Sequence, residues 1–302
     1  MEIAYFGGVP SLVYCARQYD ELGPDERFLD FIAAEFKDIN FNDEMHQFMF
    51  YNFVQAFILG ERPHGLERFD RFSSVVVVGN DRRHYWPPCY MLCISNLFTE
   101  NAFARALKDC LQNLKLYSRI VETGLDWQIV IEIAAMLNCC SAQKFGGSGP
   151  FGICEGLSKP HTVDLFAIPA NLTRVDTAVH EIRRRLRSST VPIIGVYTST
   201  YAKFPKYDGF VGYYDPAIPD TFRVFGYQAK LSRAYPKGAV DGDLVNVGFL
   251  MRGHAPVTEN EKRGWKYLSI SELYTFLGFS LSFLYPAELL RLPPLNVDIF
   301  DE

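Results

Sequence analysis

Pro205-Lys-Tyr-Asp208-Gly-Phe-Val-Gly-Tyr-Tyr214, Asp215-Pro-Ala-Ile-Pro-Asp220 and Thr221-Phe-Arg-Val-Phe-Gly-Tyr-Gln228-Ala-Lys230-Leu231 follow one another in the chain and read as a β-hairpin. Tyr207–Tyr214 and Phe222–Leu231 are rich in aromatic and β-branched residues, which suit strands. The segment between them holds Asp215, Pro216, Pro219 and Asp220, the residues of a turn. Gln228 and Lys230 are two apart on the second strand and so share a face. Asp208 opens the first strand, and the hairpin brings it opposite them.

Working outward, Thr162–Ile168, Val191–Thr198 and Val245–Met251 read as further strands. Thr173–Arg187 reads as an amphipathic helix with a stripe of Val175, Val179, Ile182 and Leu186. Its Thr173 and Asp176 have capping-box spacing. Asp126–Asn138 is a helix so apolar that it needs burial on more than one side. Phe145–Gly152 is a glycine-rich loop, and Ile270–Leu284 a final helix.

The first ~120 residues read as mostly helical. Pro24-Asp25-Glu26 opens a helix carrying Phe28, Leu29, Ile32 and Phe36. Asn42-Asp43-Glu44 opens another, with Met45, Phe48, Met49, Phe53 and Phe57, stopped by Gly60. Ser74–Gly79 is a short strand, and Trp86-Pro87-Pro88 excludes regular structure. Glu100–Lys115 repeats Phe103, Leu107, Cys110, Leu111 and Leu114 at helical spacing. Gly124 breaks the pattern. The expected organisation is α+β, with a helical module over 1–123 and a mixed-sheet domain over 124–302.

The 302 residues are 48% apolar and 22% charged, which excludes a disordered chain. The net charge of −5 excludes nucleic-acid binding by global charge, so any such contact is a local patch. Aromatics at 15% point to a large core or a protein interface, and we expect an exposed apolar patch on the first ~120 residues and association with another protein chain. No apolar run reaches the ~18 residues of a membrane span, and the opening Met1-Glu2-Ile3-Ala4 is not a secretory signal. Seven cysteines, two of them adjacent, fit no disulfide scaffold and read as thiols of a reducing compartment, nuclear or cytoplasmic.

The hairpin triad carries the chemistry. A carboxylate and a second oxygen ligand hold Mg²⁺ or Mn²⁺ against a scissile phosphate. The carbonyl between them can add a ligand, and a lysine can orient the attacking water and stabilise charge on phosphorus. Asp208, Gln228 and Lys230 thus have the layout of a PD-(D/E)xK nuclease centre, with Gln in the (D/E) position. Glu132 is the only charged residue between Trp127 and Asn138 and would add a carboxylate. Its alternative is a solvent-edge position. Arg183, Arg184 and Arg187 read as phosphate contacts, with a solvated face at the end of a helix as the alternative. Lys230 would join them.

Other motifs are weaker. Gly147-Ser-Gly149-Pro-Phe-Gly152 matches G-x-G-x-x-G but follows a helix, and reads as a loop. No P-loop sequence is present. His84, Cys89 and Cys93 lack the fourth ligand of a zinc site.

Several segments, in order, resemble the C-terminal part of Crinkler and retrotransposon-hot-spot proteins. Tyr5-Phe-Gly-Gly-Val-Pro10 looks like the segment after that family's ATPase core. Cys93-Ile-Ser-Asn-Leu-Phe-Thr-Glu-Asn-Ala-Phe103 is similar to its short Ser-containing motif. Trp127–Leu137, with Glu132 and Ala135, resembles its Phe-Glu-x-x-Ala-His helix. Phe204-Pro-Lys-Tyr-Asp208 resembles Asn-Phe-Pro-x-x-Asp, and Val224-Phe-Gly-Tyr-Gln228-Ala-Lys-Leu-Ser232 resembles Leu-Phe-Gln-Met-Thr-x-Ser. The resemblance implies a restriction-endonuclease-like domain behind the trailing helices of an ATPase, in proteins that act in nuclei. Three departures accompany it. Ser11 stands where Arg is common, and Lys230 where many relatives have Thr. Ser232–Asp243, with Pro236, Gly238 and Gly242, lacks the expected core helix. The implied function is a metal-dependent nuclease, active or degenerate. The alternatives are a non-catalytic interaction platform and an ATPase-associated subunit.

Overall fold

The expected hairpin lies at the centre of a six-stranded sheet. The computed structural model describes residues 43–62, 73–78, 81–86, 95, 104–108, 124–169, 171–199, 207–218, 220–230, 245–250, 265–268 and 270–282. In chain order the elements are α1 (Asp43–Leu59), β1 (Ser74–Val78), β2 (Asp81–Tyr85), α2 (Gly124–Phe145), β3 (Thr162–Ile168), α3 (Val175–Arg187), β4 (Ile193–Ser199), β5 (Gly209–Tyr214), β6 (Arg223–Lys230), β7 (Val245–Leu250), β8 (Trp265–Tyr267) and α4 (Ile270–Ser282). The class is α+β, with a mixed sheet.

Two compact units divide the chain: Met1–Glu122 with Leu277–Glu302, and Thr123–Phe276. The expected second domain, 124–302, is therefore shorter at its C-terminal end. The physical reason lies in α4, where Gly278 adopts φ 72 and breaks the helix. Beyond the break, Phe279 packs over Gly60 in the first unit.

In the first unit, α1 buries Phe50, Phe53, Val54, Ala56 and Phe57. Gly60, at φ 67, ends it and donates its N–H to the Ala56 carbonyl at 2.8 Å, as a glycine just past a helix does. The four valines form β1, paired antiparallel with β2. The sequence reading missed β2, because Asp81-Arg82-Arg83-His84-Tyr85 shows no apolar alternation. Trp86 packs edge-on to Phe53 at 5.7 Å and donates its indole N–H to the Glu61 carbonyl at 2.9 Å. The helix expected at Pro24 and the Cys15, Cys89, Cys93 and Cys110 thiols lie outside the described residues. Of the helix expected over Glu100–Lys115, residues 104–108 are described and are helical.

In the second unit the strand order β3-β4-β5-β6-β7-β8 is sequential. Only β5 runs against the rest: β4–β5 and β5–β6 pair antiparallel, and β3–β4, β6–β7 and β7–β8 pair parallel. The β5–β6 pair is the hairpin, with Gly209 opposite Tyr227 and Tyr213 opposite Arg223. The α3 helix joins the parallel β3 and β4 and buries Ala178, Val179, Ile182 and Leu186 against Ile193, Tyr197, Phe210 and Val224. The α2 helix packs on β3, β4 and β6. Its residues Ile129 to Ile131, Ile133 to Leu137, Cys139 and Cys140 are all buried, as so apolar a helix requires.

Close approach explains a strand glycine. At Gly226 a Cβ would collide with the edge of the Tyr207 ring, which packs against the strand at that point.

The capping box is corrected. Arg174, extended at φ −113 and ψ 142, precedes the helix without a side-chain cap. The Asp176 carboxylate instead takes the Arg174 guanidinium at 2.8 and 3.0 Å and the Thr177 N–H at 2.9 Å. An arginine fork next to a carboxylate competes better for it than one backbone N–H.

Candidate functional site

Asp208 stands just before β5 and is gripped twice by β6. Its N–H donates to the Tyr227 carbonyl at 2.9 Å. Its carboxylate Oδ2 accepts the Ala229 N–H at 2.6 Å, a short, charge-assisted bond. The residue between Gln228 and Lys230 thus fixes Asp208 through its N–H, where the sequence reading offered its carbonyl as a ligand. Tyr207, the neighbour of Asp208, is buried over Gly226, which anchors this end of the strand.

Gln228 follows Val224 and Gly226 on one face of β6. It is half-buried, and its Oε1 is buried and accepts no hydrogen bond. An acceptor left so costs about 1–3 kcal/mol, and functional sites are where such costs persist. Lys230 ends β6, and its side chain lies outside the described residues. Glu132 is half-buried on α2, among buried neighbours. The structure therefore joins Asp208 to the Gln228–Lys230 strand.

The arginines of α3 separate into two kinds. Arg184 forks onto Glu181 at 2.8 and 2.6 Å. That pairing holds the Glu181 carboxyl below the usual carboxylate range. Arg185 forks onto Asp164 of β3 at 2.8 and 2.6 Å and covers the Phe166 ring at 4.1 Å. Arg183 and Arg187 instead lie over one ring, that of Phe222, at 4.8 and 5.7 Å. Of the expected trio of Arg183, Arg184 and Arg187, Arg184 is therefore paired with Glu181, and the other two share Phe222. Helical spacing made them neighbours, but Glu181 neutralises Arg184 one turn back, leaving a pair on Phe222.

Comparison with family models, with curated proteins and with solved structures finds no match.

Among the described residues, no three His, Cys, Asp or Glu side chains stand together as a metal cluster. The expected set has only two carboxylates, so it is not of that composition. His84 meets Ser73 Oγ through Nδ1 at 2.8 Å. Cys139, Cys140 and Cys154 are buried thiols. Burial pushes all three up, Cys154 to about 12, so none is a ready thiolate. Among the described residues no helix is long and apolar enough to cross a membrane.

Proposed function

We propose that the β5–β6 hairpin carries a metal-dependent phosphodiesterase centre of the PD-(D/E)xK type, acting on DNA or RNA. The observation that carries it is the buried, unpartnered Oε1 of Gln228 on the strand whose Ala229 N–H fixes the Asp208 carboxylate. A held carboxylate and a bare amide oxygen are two hard oxygen donors, the kind that Mg²⁺ or Mn²⁺ takes. Asp208 and Gln228 would hold the ion, with Glu132 as a further carboxylate. Such an ion supplies charge neutralisation at phosphorus and acidifies a bound water. Lys230, two residues beyond Gln228 on the same strand, would orient that water. Arg183 and Arg187, which share Phe222, would contact the phosphodiester backbone. The sequential mixed sheet and the ordered resemblance to the C-terminal part of Crinkler and retrotransposon-hot-spot proteins support a restriction-endonuclease-like reading.

The test is Mn²⁺ and Mg²⁺ titration of the purified chain beside cleavage assays on duplex DNA, single-stranded DNA and RNA. Asp208→Ala should abolish metal binding, and Lys230→Ala should lower cleavage by on the order of 10²–10³. Gln228→Glu restores the missing ligand charge and should tighten metal binding. If neither the chain nor Gln228→Glu binds a divalent ion or cuts any of the three substrates, the hairpin is an interaction platform. That outcome is consistent with a neutral residue at position 228.

A further inference from the structure

One row of residues links the arginine pair of α3 to the proposed metal centre. Residues two apart on a strand share a face, so Phe222, one residue before β6, stands in line with Val224, Gly226 and Gln228. Phe222 and Val224 pack with the α3 stripe, and Tyr207 packs on Gly226. Gly209 pairs with Tyr227, which sets Asp208 across from Gln228 at the far end of the row. Six residues at ~3.3 Å each put the two ends about 20 Å apart.

The near end carries charge that nothing on the protein matches. Among the described residues, Arg184 and Arg185 hold carboxylates, and Arg223 donates to the Ile153 and Glu155 carbonyls at 3.0 and 3.3 Å. Arg183 and Arg187 have no ion pair or hydrogen bond among the described residues and meet the Phe222 ring, at 4.8 and 5.7 Å. Arg183 Nε is buried and donates to no acceptor. The last turn of α3 supplies partial negative charge, which holds the two cations in place without a carboxylate. The ring restrains the planar guanidinium groups, so a later contact costs less ordering. Four residues apart on a helix that rises ~1.5 Å per residue, they are offset by about 6 Å along its axis. That offset matches about two phosphates of a duplex strand, at ~3.4 Å of rise each.

We infer that Arg183 and Arg187 anchor the phosphodiester chain at a distance from the point of cleavage, so that the centre acts on substrates reaching about 20 Å to one side of the scissile phosphate. The inference rests on the reading of Asp208 and Gln228 as the metal centre. Val224 and Gly226 are covered between the two ends, so the substrate bridges that stretch. A duplex rises ~3.4 Å per base pair and crosses it in about six. A single strand can stretch and crosses it with fewer nucleotides.

Two length ladders on the purified chain test it: duplex stems closed by a non-nucleotide linker and unpaired single strands, each from about 4 to about 20 units long. Fluorescence anisotropy in Ca²⁺ reads binding, and cleavage of the same substrates in Mn²⁺ reads turnover. Both should rise by about tenfold or more between about four and about eight base pairs, then level off. Whichever ladder shows the step identifies the form of chain that the anchor holds. Arg183→Gln with Arg187→Gln should bind long substrates about tenfold more weakly and short ones unchanged, which removes the step. Arg183→Lys with Arg187→Lys keeps both charges and should retain most of it. If the double Gln variant does not fold, Arg187→Gln alone, at an exposed position, replaces it, and the wild-type ladder needs no variant. Binding and cleavage with no length step, or a step that survives in the folded Gln variant, would overturn the anchor and leave the metal centre standing. Failure to bind or cut anything on either ladder would overturn the anchor and the centre together.

Discussion

The α2 and α3 helices pack on the same sheet and cover it in opposite ways. From Ile129 to Cys140, α2 presents buried side chains all round, interrupted only by the half-buried Glu132 and Asn138. The α3 helix buries one stripe and holds its charges outside it, on Glu181, Arg183, Arg184, Arg185 and Arg187. The sealed helix holds its thiols protonated and allows no charge without a partner. The half-open helix can carry charge cheaply, and two of its four arginines are matched by carboxylates. What remains unmatched by a carboxylate there, Arg183 and Arg187, is held by a ring instead. The difference teaches that helix charge acquires meaning from the neighbours it meets, not from its density in sequence.

The strongest way to break the contrast is to put a charge into the sealed helix. Ala134→Asp buries a carboxylate where the residue is wholly inaccessible and should unfold the second unit, or cost more than about 4 kcal/mol in urea titration. Thr177→Asp, on the exposed side of α3, should stay within about 0.5 kcal/mol. Equal losses at the two sites would dissolve the distinction.

Alkaline pH should separate the helices next. Burial raises the Cys139, Cys140 and Cys154 thiols in the folded chain. Above the ordinary thiol pKa of ~8.5 the unfolded chain releases these protons while the folded chain keeps them. The unfolded state then binds fewer protons, so stability is fully present below ~8.5 and falls as pH rises toward the folded values. The slope reaches about 1.4 kcal/mol per pH unit for each thiol. Urea unfolding at pH 8, 9 and 10 should show the decline, and Cys139→Ala with Cys140→Ala should flatten it. An unchanged alkaline limb in that variant would remove α2 as its source.

A smaller effect compares the two matched arginines of α3. Asp164→Ala leaves Arg185 without its carboxylate beside β3 and should cost about 1–3 kcal/mol in urea titration. Removing the solvent-side partner with Glu181→Ala should leave the melting temperature nearly unchanged, because an exposed pair is well screened. A larger loss at Glu181 than at Asp164 would reverse the assignment.

The smallest expected signal belongs to the proposed function: if the chain binds nucleic acid, the salt dependence of that binding. Arg183→Ala with Arg187→Ala should reduce the slope of log affinity against log salt by up to ~2 units, and Arg184→Ala by much less. A slope set by Arg184 would show that Glu181 does not neutralise it.

Much of the architecture was legible before the structure. The Tyr207–Leu231 hairpin, the α2 helix, β1, β3, β4 and β7 all announce themselves by period and by turn residues, because burial on one or two faces dictates those patterns locally. The polar strand β2 and the three-residue β8 had no such signal, since pairing to a neighbour, not apolar alternation, makes them strands. The break in α4 was hidden as well: a glycine in an apolar helix looks tolerable until Ile58 and Phe279 are seen to crowd it and its neighbour Gly60 across the fold.

The candidate site divides along the same line. By itself the sequence placed Asp208 at the start of one strand and Gln228 and Lys230 two apart on the next, because two-residue periodicity and turn residues mark the hairpin; the register, Gly209 opposite Tyr227, came from the structure. Tertiary structure alone decided that the Ala229 N–H holds the Asp208 carboxylate and that Gln228 Oε1 is buried without a donor. It also decided that Glu181 takes Arg184 while Phe222 takes Arg183 and Arg187. Residue spacing sets which side chains share a face; hydrogen-bond partners and burial depend on what packs over that face, and those groups come from other parts of the chain.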